Sequence, residues 1–372
     1  MKSRRLSFWS GILLFLNVIF ILILVAGFLA AYVPPDKNWM FAFAGLIFPY
    51  TILINLLFVI FWIVIGRKLF IISLILLLLC WNRIAGYVQL GFDRKSPASN
   101  EKVYKVISYN VQIFDLYNWK DNKMSSKAHQ ILSFLKEEHP EFLCLQEYHA
   151  GKKNIIDISD SIQAMTGMKY SQVALVRKKG KIMPYGIATF SKWPIIKRKV
   201  IDFDGNPANF CIYSDILIDK DTIRLFNVHL ESIKLSNEDY LYVTELPKNP
   251  ESQENFKKNS RKILRKFKNA YIKRAPQARK ISNLINESPY PVIICGDFND
   301  TPSSYTYHKV SDNLLDAFRE SGKGIGITYA GSLPSFRIDY ILHDSFFKSV
   351  NYETIKNDYS DHYPITTGII IH

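Results

Sequence analysis

Charge is scarce in the first part of this chain, and cysteine is scarce throughout. Residues 1–100 contain nine Lys or Arg and two Asp or Glu, in a chain of 372 residues with a net charge of +14. A stretch this apolar is not a soluble domain, and the whole chain is too hydrophobic to be disordered. The four cysteines are far apart, and each lies in an apolar or strand-like run. We therefore predict buried free thiols and exclude a disulfide scaffold.

The sequence also lacks the short motifs of several enzyme classes. It contains no Gly-x-x-x-x-Gly-Lys loop, no Gly-x-Ser-x-Gly elbow and no Cys/His spacing typical of zinc sites. A nucleotide-binding P-loop and a serine-hydrolase mechanism therefore have no support in the sequence.

Long uncharged runs occupy the first 92 residues. Phe8 to Val33 is uncharged for 26 residues and Trp39 to Gly66 for 28, and each exceeds the roughly 20 residues needed to span a bilayer. Leu69 to Asn82 is uncharged for 14 residues, and reading on to Phe92 gives 24. We predict a membrane domain at 1–92 with three transmembrane helices at about 8–33, 39–66 and 69–92. Two spans and an interfacial helix are the alternative.

Basic residues at the ends of these runs predict the orientation. Lys2, Arg4 and Arg5 precede the first run, and Arg67 and Lys68 separate the second from the third. Because basic residues favour the cytoplasmic side, the N-terminus is expected inside. Three spans then place the remaining chain outside the cytoplasm, whereas two would place it inside. We predict a multi-pass cell-membrane protein with its C-terminal domain outside, joined by a polar linker at 93–101.

From residue 102 onward the pattern changes to short apolar runs, each closed by a small polar cluster. The runs are rich in β-branched and aromatic residues, as in Val103–Tyr109 and Pro291–Cys295, and this composition indicates strands. Between some of them the period is helical, as in Lys127–Glu138. Alternating strands and helices predict one α/β domain at 102–372.

The residues that close these runs are carboxylates, amides and histidines. Side chains at the same end of neighbouring strands converge on one pocket, where Asp, Glu and Asn suit a hard divalent cation. Histidine suits contact with phosphate or proton transfer. The candidate residues are Asn110, Glu147, His229, Asp297, Asn299, Asp339, Asp361 and His362.

Six short strings in this part resemble, in order, the motifs of the endonuclease/exonuclease/phosphatase superfamily. They are Ser-Tyr-Asn110-Val, Leu-Gln-Glu147, Asn227-Val-His229-Leu, Gly-Asp297-Phe-Asn299, Arg337-Ile-Asp339-Tyr and Ser-Asp361-His362-Tyr-Pro. The resemblance covers about residues 102–372. It implies a four-layered α/β sandwich of the deoxyribonuclease I type, in which two mixed sheets are flanked by helices and the active site lies at one end of the sheets. The predicted architecture is this sandwich preceded by transmembrane helices.

The resemblance also implies a metal site. Glu147 is expected to be the principal ligand of Mg²⁺ or Mn²⁺, with Asn110 beside it and Asp361 near the same ion. A divalent ion would offset the repulsion between these carboxylates and a phosphate ester.

The remaining roles implied by the resemblance are catalytic. Asp297 would orient or deprotonate the attacking water, and Asn299 would fix that water or hold a phosphate oxygen. His229 and His362 would contact the scissile phosphate, and Asp339 would bond to His362 and set its tautomer. Asp297 and His362 remain alternatives for the general base, and a partner for His229 is left open.

A strongly basic segment separates the histidine strand from the Asp297 strand. Residues 251–280 hold 11 Lys or Arg and two Asp or Glu, with apolar residues near helical spacing. This pattern predicts a basic amphipathic helix. Its exposed face could be simply solvated, contact anionic lipid or form a nucleic-acid groove. Lys258, Arg261, Lys262 and Arg265 are the candidate contacts.

These observations predict a membrane-anchored, divalent-metal-dependent phosphoesterase. Nucleic acid, a phospholipid headgroup and a small phosphate ester all remain open as substrates, because specificity resides in loops. Membrane lipids are the other expected partners, and no protein partner is implied. A catalytically silent membrane scaffold that retains the fold is the alternative.

Overall fold

The computed structural model of the chain describes most of its length. The described residues are 8–91, 97–98, 101–119, 123–152, 156–178, 180–203, 209–245, 253–331 and 336–371. Most of the predicted linker and the basic residues before Phe8 lie outside the described residues.

The N-terminal part consists of helices. They are α1 Phe8–Leu29, α2 Met40–Leu46, α3 Phe48–Val64, α4 Phe70–Leu79 and α5 Trp81–Ile84. By length and composition, α1 could cross a membrane alone. Helices α2 and α3 meet at a bend of 64°, and the two together would make a second span if they are read as one bent helix. The predicted 39–66 helix is therefore broken at Ile47. Pro49 lies in the first turn of α3. Proline has no backbone N–H and its ring clashes with the preceding turn, so it is tolerated at the start of a helix but not in its interior.

The structure differs from the predicted third span at 69–92. Past the irregularity at Cys80, α-helical hydrogen bonding reaches only Ala85, whose N–H donates to the Trp81 carbonyl, and the tighter 3₁₀-type bonds end at Tyr87. Beyond it, the short strand β1, Val88–Gln89, pairs with Gly324–Ile325 of the α/β part. A single helix over 69–92 is therefore wrong. The polar residues at its end find protein partners instead, and the Arg83 guanidinium lies 5.2 Å from the Tyr32 ring centroid.

Buried polar side chains hold the N-terminal helices together. The Trp62 indole N–H donates to Asn17 Oδ1 (2.9 Å), and Asn17 Nδ2 donates to Ser73 Oγ (3.0 Å). Asn55 Nδ2 donates to the Phe20 carbonyl (3.1 Å). Large apolar side chains such as Leu57 point outward. The interior of this bundle combines these polar groups with apolar side chains such as Leu24 and Phe48, and its exterior is apolar.

Strands and helices alternate in the α/β part. The strands are β2 Val103–Asn110, β3 Phe142–His149, β4 Gly151–Lys152, β5 Ile156–Asp157, β6 Tyr170–Lys178, β7 Lys181–Ser191, β8 Ile195–Asp202, β9 Phe210–Ile218, β10 Asp221–His229, β11 Val292–Asp297, β12 Leu315–Asp316, β13 Gly324–Ile325, β14 Asp339–His343, β15 Phe347–Thr354 and β16 Ile365–Ile371. The helices are α6 Ser126–Glu138, α7 Ile158–Thr166, α8 Asn237–Glu245, α9 Gln253–Asn286, α10 Tyr305–Val310 and α11 Ala317–Ser321, and a 3₁₀ segment spans Gln112–Asn118.

Two large mixed sheets pack face to face. Within the described residues their strand orders are β15-β16-β2-β3-β7-β6 and β12-β14-β11-β10-β9-β8, and the central pairs β2–β3 and β10–β11 are parallel. Val106 and Cys144 of one sheet share a buried core with Leu225 and Ile293 of the other. Helices α6 and α7 cover the outer face of the first sheet, and α9 covers that of the second. The predicted four-layered α/β sandwich is confirmed.

The long helix α9 is the predicted basic helix, and it also contacts the N-terminal helices. Phe43 of α2 packs on Tyr271 at 5.5 Å between ring centroids, and Lys268 Nζ lies 4.7 Å from the Trp39 ring centroid. Arg279 also forms an ion pair with Asp36, which precedes α2 (2.7 Å). The N-terminal part is therefore packed against the second sheet's helix layer.

Candidate active site

Five strands of the two sheets deliver polar side chains to one end of the sandwich. Asn110 is the last residue of β2, Asp297 is the last residue of β11, and Glu147 lies near the end of β3. In register, Asp297 pairs with His229 of β10 and with Asp339 of β14. Sheet geometry therefore brings together residues that are as far apart in the sequence as Asn110 and Asp339.

Asp297 lies at the centre of this cluster. Its Oδ2 accepts a hydrogen bond from Asn110 Nδ2 (3.1 Å) and lies 3.8 Å from Nε2 of both His229 and His362. Its Oδ1 accepts from the backbone N–H of Asn299 (2.8 Å). Burial and then the nearby Asp339 raise the pKa of Asp297. A buried carboxylate with these neighbours is suited to orient a water molecule or accept its proton.

Glycine precedes Asp297 for a steric reason. Gly296 has φ +149°, and a Cβ built there would lie 2.0 Å from the Val228 carbonyl oxygen. Only glycine therefore lets β11 approach β10 this closely and aim Asp297 into the site.

His362 and Asp339 form a hydrogen-bonded pair. His362 Nδ1 lies 2.9 Å from Asp339 Oδ2, as expected from the sequence. Burial lowers the pKa of His362, but Asp339 and Asp297 outweigh it and leave that pKa well above its usual value. The Nδ1–H therefore faces Asp339, and Nε2 faces Asp297 and the cavity.

Glu147 adopts a strained backbone conformation. Its φ is +49°, and the register of β3 against β7 shifts between Leu145 and Tyr148. A left-handed residue costs roughly 1–2 kcal/mol, and such a bulge re-aims a side chain. A third of the side chain faces the cavity. Burial and then Asp361 nevertheless raise the pKa of Glu147 to about 7.

His229 has an unpartnered nitrogen that faces two carboxylates. Its Nε2 is buried without a hydrogen-bond partner among the described residues and lies 3.8 Å from both Glu147 Oε1 and Asp297 Oδ2. Burial lowers the pKa of His229. A neutral imidazole with a free ring nitrogen beside two acids can accept or donate a bond to a substrate oxygen.

The carboxylate side of the cluster fits a divalent cation. Glu147 and Asp361 line the same cavity, and their mutual repulsion contributes to the raised pKa of Glu147. A hard cation with oxygen ligands relieves such repulsion. Asp297, Asp339 and His362 also present ligand atoms within 4.8 Å of one another. That group fits a hard cation less well, because His362 already directs an N–H at Asp339.

Asn110 reaches the site as a hydrogen-bond donor. Its Nδ2 donates to Asp297, while its Oδ1 accepts from the Gln112 N–H (3.1 Å). Its role as a metal ligand remains a prediction.

Sequence reasoning missed the residues that hold the cluster in place. Gln146 Nε2 donates to Asn227 Oδ1 (2.7 Å), and Asn227 Nδ2 donates to the Ala188 carbonyl (2.8 Å), which ties the two sheets together. Ser360 Oγ donates to the Asn110 carbonyl (2.8 Å). Gln146, Asn227 and Ser360 lie within the motif strings, so the motifs themselves were a usable signal. The ring of Tyr329, which packs on His362 at 5.3 Å, had no such signal.

A cavity of about 530 Å³ opens over the cluster. Its polar side contains Glu147 and Asp297. Its opposite side is formed by Leu46, Ile47 and Tyr50, at the break between α2 and α3, and by residues of α9. The cavity therefore lies between the two parts of the chain, which the sequence did not indicate.

The four predicted basic contacts lie away from this cavity. Lys258, Arg261, Lys262 and Arg265 are exposed on α9, and none of them lines the cavity. Lys262 Nζ forms an ion pair with Asp239 Oδ1 (2.9 Å). Their contact with lipid or nucleic acid remains a prediction.

Comparisons with protein families agree with this division of the chain. A family model described as the Endonuclease/Exonuclease/phosphatase family matches residues 107–362. A second model, a domain of unknown function, matches residues 10–87. A search of curated proteins finds no match.

Solved structures share the fold of the α/β part. ANGEL2, a 2',3'-cyclic phosphatase in complex with adenosine-2',3'-vanadate, aligns with a TM-score of 0.51 and 16% identity over 75% of this chain and 98% of that chain. The human Nocturnin catalytic domain with bound sulfate aligns with a TM-score of 0.51 and 15% identity, over 76% of this chain and all of that chain. An endonuclease/exonuclease/phosphatase from Bacteroides vulgatus aligns with a TM-score of 0.50 and 14% identity, over 73% of this chain and all of that chain.

Proposed function

The chain belongs to the endonuclease/exonuclease/phosphatase family, and from that premise we propose that it is a divalent-metal-dependent phosphoesterase. It would hydrolyse a phosphodiester or phosphomonoester bond by in-line attack of water. The observation that carries the proposal is the position of Asp297, hydrogen-bonded to Asn110 and Asn299 and 3.8 Å from both histidines.

Glu147, with Asn110 and Asp361, would hold Mg²⁺ or Mn²⁺. The bound ion would neutralise phosphate charge and stabilise the charge that develops in the transition state.

The side chains around Asp297 supply the remaining steps. Asp297 orients the attacking water, and either Asp297 or His362 accepts its proton. Nε2 of His362 and His229 contact the phosphate oxygens, and Asp339 holds the imidazole of His362 in its tautomer. Asn299 fixes the water or a phosphate oxygen. Its backbone φ of +54° is a conformation that asparagine tolerates better than most residues.

Turnover of an aryl phosphodiester by the purified full chain tests this proposal. His362→Asn should lower kcat/KM by roughly 10²–10⁴-fold, the usual effect of removing an acid or base. His129→Asn is the matched control, because His129 is an exposed residue of α6. Equal loss in both variants, or full activity in His362→Asn, would contradict the proposal. A silent scaffold would show no turnover with any divalent cation.

We also propose that residues 1–92 anchor a catalytic domain at 102–372 in the cell membrane. The apolar exterior of the N-terminal helices and the polar contacts between them support this, as does the apolar α1. Asn17 contacts both Trp62 and Ser73, while Tyr32 is near Arg83. In this arrangement the chain runs up, down and up again, with the third crossing at about 69–85.

This topology puts the catalytic domain outside the cytoplasm. A reporter fused after His372 of the full chain should be active only in a form that reports the non-cytoplasmic side. A cytoplasmic signal would remove the third crossing and the proposed location together.

A further inference from the structure

We propose that the substrate is an amphiphile, a phosphate ester carrying a long apolar chain, and that the N-terminal helices form one wall of its binding site. The inference rests on the proposed phosphoesterase function and names the substrate class of that same site. Its starting point is the composition of the cavity, in which the acidic cluster faces an apolar surface contributed by another part of the chain.

The apolar wall lies at the break between α2 and α3. Ile47 and Tyr50 line the cavity and are 42% and 45% exposed. Other protein atoms therefore do not cover them, and a ligand can contact them. From α9, Ile263 and Phe267 complete the same wall. A small hydrophilic ester would leave this surface in contact with water, whereas an apolar chain would cover it.

The apolar surface continues out of the cavity along α3. Tyr50, Leu53 and Leu57 are spaced by three and four residues, so they share one helix face. All three are exposed. A chain longer than the cavity could follow this face away from the phosphate, in the direction of the proposed membrane interior.

A buried arginine lies beside the cavity. Arg274 of α9 is fully buried and lines the cavity, and none of its guanidinium nitrogens has a hydrogen-bond acceptor among the described residues. The nearest carboxylate oxygen, Asp300 Oδ2, lies 3.5 Å from Nε. Unmet donors on a buried guanidinium are unfavourable. These nitrogens expose almost no surface, so Arg274 adds positive charge beneath the cavity, next to the apolar wall, rather than a direct contact for the ligand.

The same geometry disfavours a nucleic acid in this cavity. A polynucleotide needs cations along its backbone, but among the described residues the basic side chains that line the cavity are Lys234 and the fully buried Arg274. The exposed Lys258, Arg261 and Arg265 of α9 do not line it.

Two diesters that share the reacting bond isolate the contribution of the apolar chain. We would measure kcat/KM of the full chain in mixed micelles for methyl p-nitrophenyl phosphate and hexadecyl p-nitrophenyl phosphate. The wild-type chain should prefer the hexadecyl ester by at least about 100-fold, since several CH₂ groups become buried. Ile47→Ser combined with Tyr50→Ser should lower that preference by about 10-fold.

A second double variant controls for partition into the micelle. Leu56 and Ile63 are 45% and 52% exposed on α3 outside the cavity, so Leu56→Ser with Ile63→Ser removes similar surface. It should leave the preference unchanged. If the Ile47/Tyr50 double variant is inactive on both esters, Tyr50→Ala replaces it, with an expected loss of about threefold in the preference.

Each outcome supports or overturns the inference. A wild-type preference near one, cleavage of plasmid DNA ahead of both esters, or equal loss of preference in the two double variants would overturn it. So would loss of methyl-ester turnover in both Tyr50 variants with the control intact, because the wall would then serve the chemistry. No hydrolysis of either ester or DNA at any Mg²⁺ concentration would instead refute the phosphoesterase function itself.

Discussion

In the N-terminal helices the buried side chains include the polar Asn17, Asn55 and Ser73 beside apolar ones such as Leu24, and many leucine and isoleucine side chains face outward. In the α/β part the strands bury valine, leucine and isoleucine between two sheets, and polar side chains gather at one end. The first arrangement suits a hydrocarbon surrounding and the second suits water. If the N-terminal helices lie in a membrane, as proposed, the boundary between these two environments runs through the cavity above Asp297.

The buried polar groups of the two parts also differ in how completely they are satisfied. In the helices, Asn17 and Asn55 find hydrogen-bond partners. In the cluster, His229 Nε2 and Asp339 Oδ1 have none among the described residues. A satisfied network stabilises a fold, whereas an open one is available to a ligand. We expect polar substitutions to affect stability in the first region and turnover in the second.

The largest expected effect follows Asp297→Asn. Turnover of the methyl ester should fall at least about 10³-fold, or roughly 4 kcal/mol, because the group that orients the water loses its charge. The melting temperature should stay equal or rise, since the raised pKa of Asp297 shows that its charged form is disfavoured in the fold. Asp312→Asn, at an exposed residue, is the control. A melting temperature that falls in step with activity would mean that the cluster is structural.

The next effect tests the coupling between the two parts. Buried Arg337 forms an ion pair with Asp316 and donates to the Gly86 carbonyl of the N-terminal part (3.0 Å). Arg337→Met should lower the free energy of unfolding by about 3 kcal/mol, because it leaves a buried carboxylate without its cation.

Arg319 provides the comparison for that variant. It contacts Asn82 of the N-terminal part through an exposed hydrogen bond, so Arg319→Met should have little effect in the same denaturation experiment. Equal destabilisation by the two changes would assign the effect to lost contact with the helices rather than to the buried charge.

A smaller effect is expected inside the helices. Asn17→Leu removes the acceptor of the Trp62 indole and the donor to Ser73. It should lower the free energy of unfolding in detergent by about 0.6–1.7 kcal/mol, the range for polar contacts between membrane helices. Turnover at a temperature where both proteins are folded should be unchanged. A large loss of turnover would show that the network shapes the site.

The smallest effect concerns the ion pair between Asp36 and Arg279. Both side chains are about one-third exposed, so Asp36→Asn should cost less than about 1 kcal/mol at low salt and nothing measurable at high salt. Arg279 lowers the pKa of Asp36. Its contribution is therefore present above the unfolded-state pKa and is lost as pH falls through the folded value. A melting temperature that responds to Asp36→Asn equally at both salt concentrations would rule out this electrostatic origin.

The strand ends were predictable because each is encoded locally. An apolar run followed by Asp297 or His229 specifies both the strand and the group that leaves it, and sheet pairing then brings the groups together. The alternation of strands and helices predicts an α/β domain, whereas the four-layered sandwich was implied only by the resemblance to the family. The bulge that turns Glu147 to φ +49° was not predictable, since it depends on how β3 meets β7.

Contacts between the N-terminal part and the α/β part could not be predicted from the sequence. The helical segment of the predicted third span ends near Ala85 because Val88–Gln89 pairs with Gly324–Ile325, a contact across more than 200 positions. Tyr50 and Arg274 meet in one cavity for the same reason. Periodicity and motifs describe one segment at a time, so a site built between segments gives no local signal.

The metal dependence of aryl phosphodiester hydrolysis by the full chain tests the central claim most directly. EDTA should abolish turnover, and excess Mg²⁺ should restore it and raise the melting temperature, because an ion that binds only the folded cluster stabilises it. Glu147→Gln should lose both responses while its melting temperature in EDTA stays close to that of the wild type. Turnover that persists in EDTA, or responds to Mg²⁺ equally in Glu147→Gln, would contradict the account.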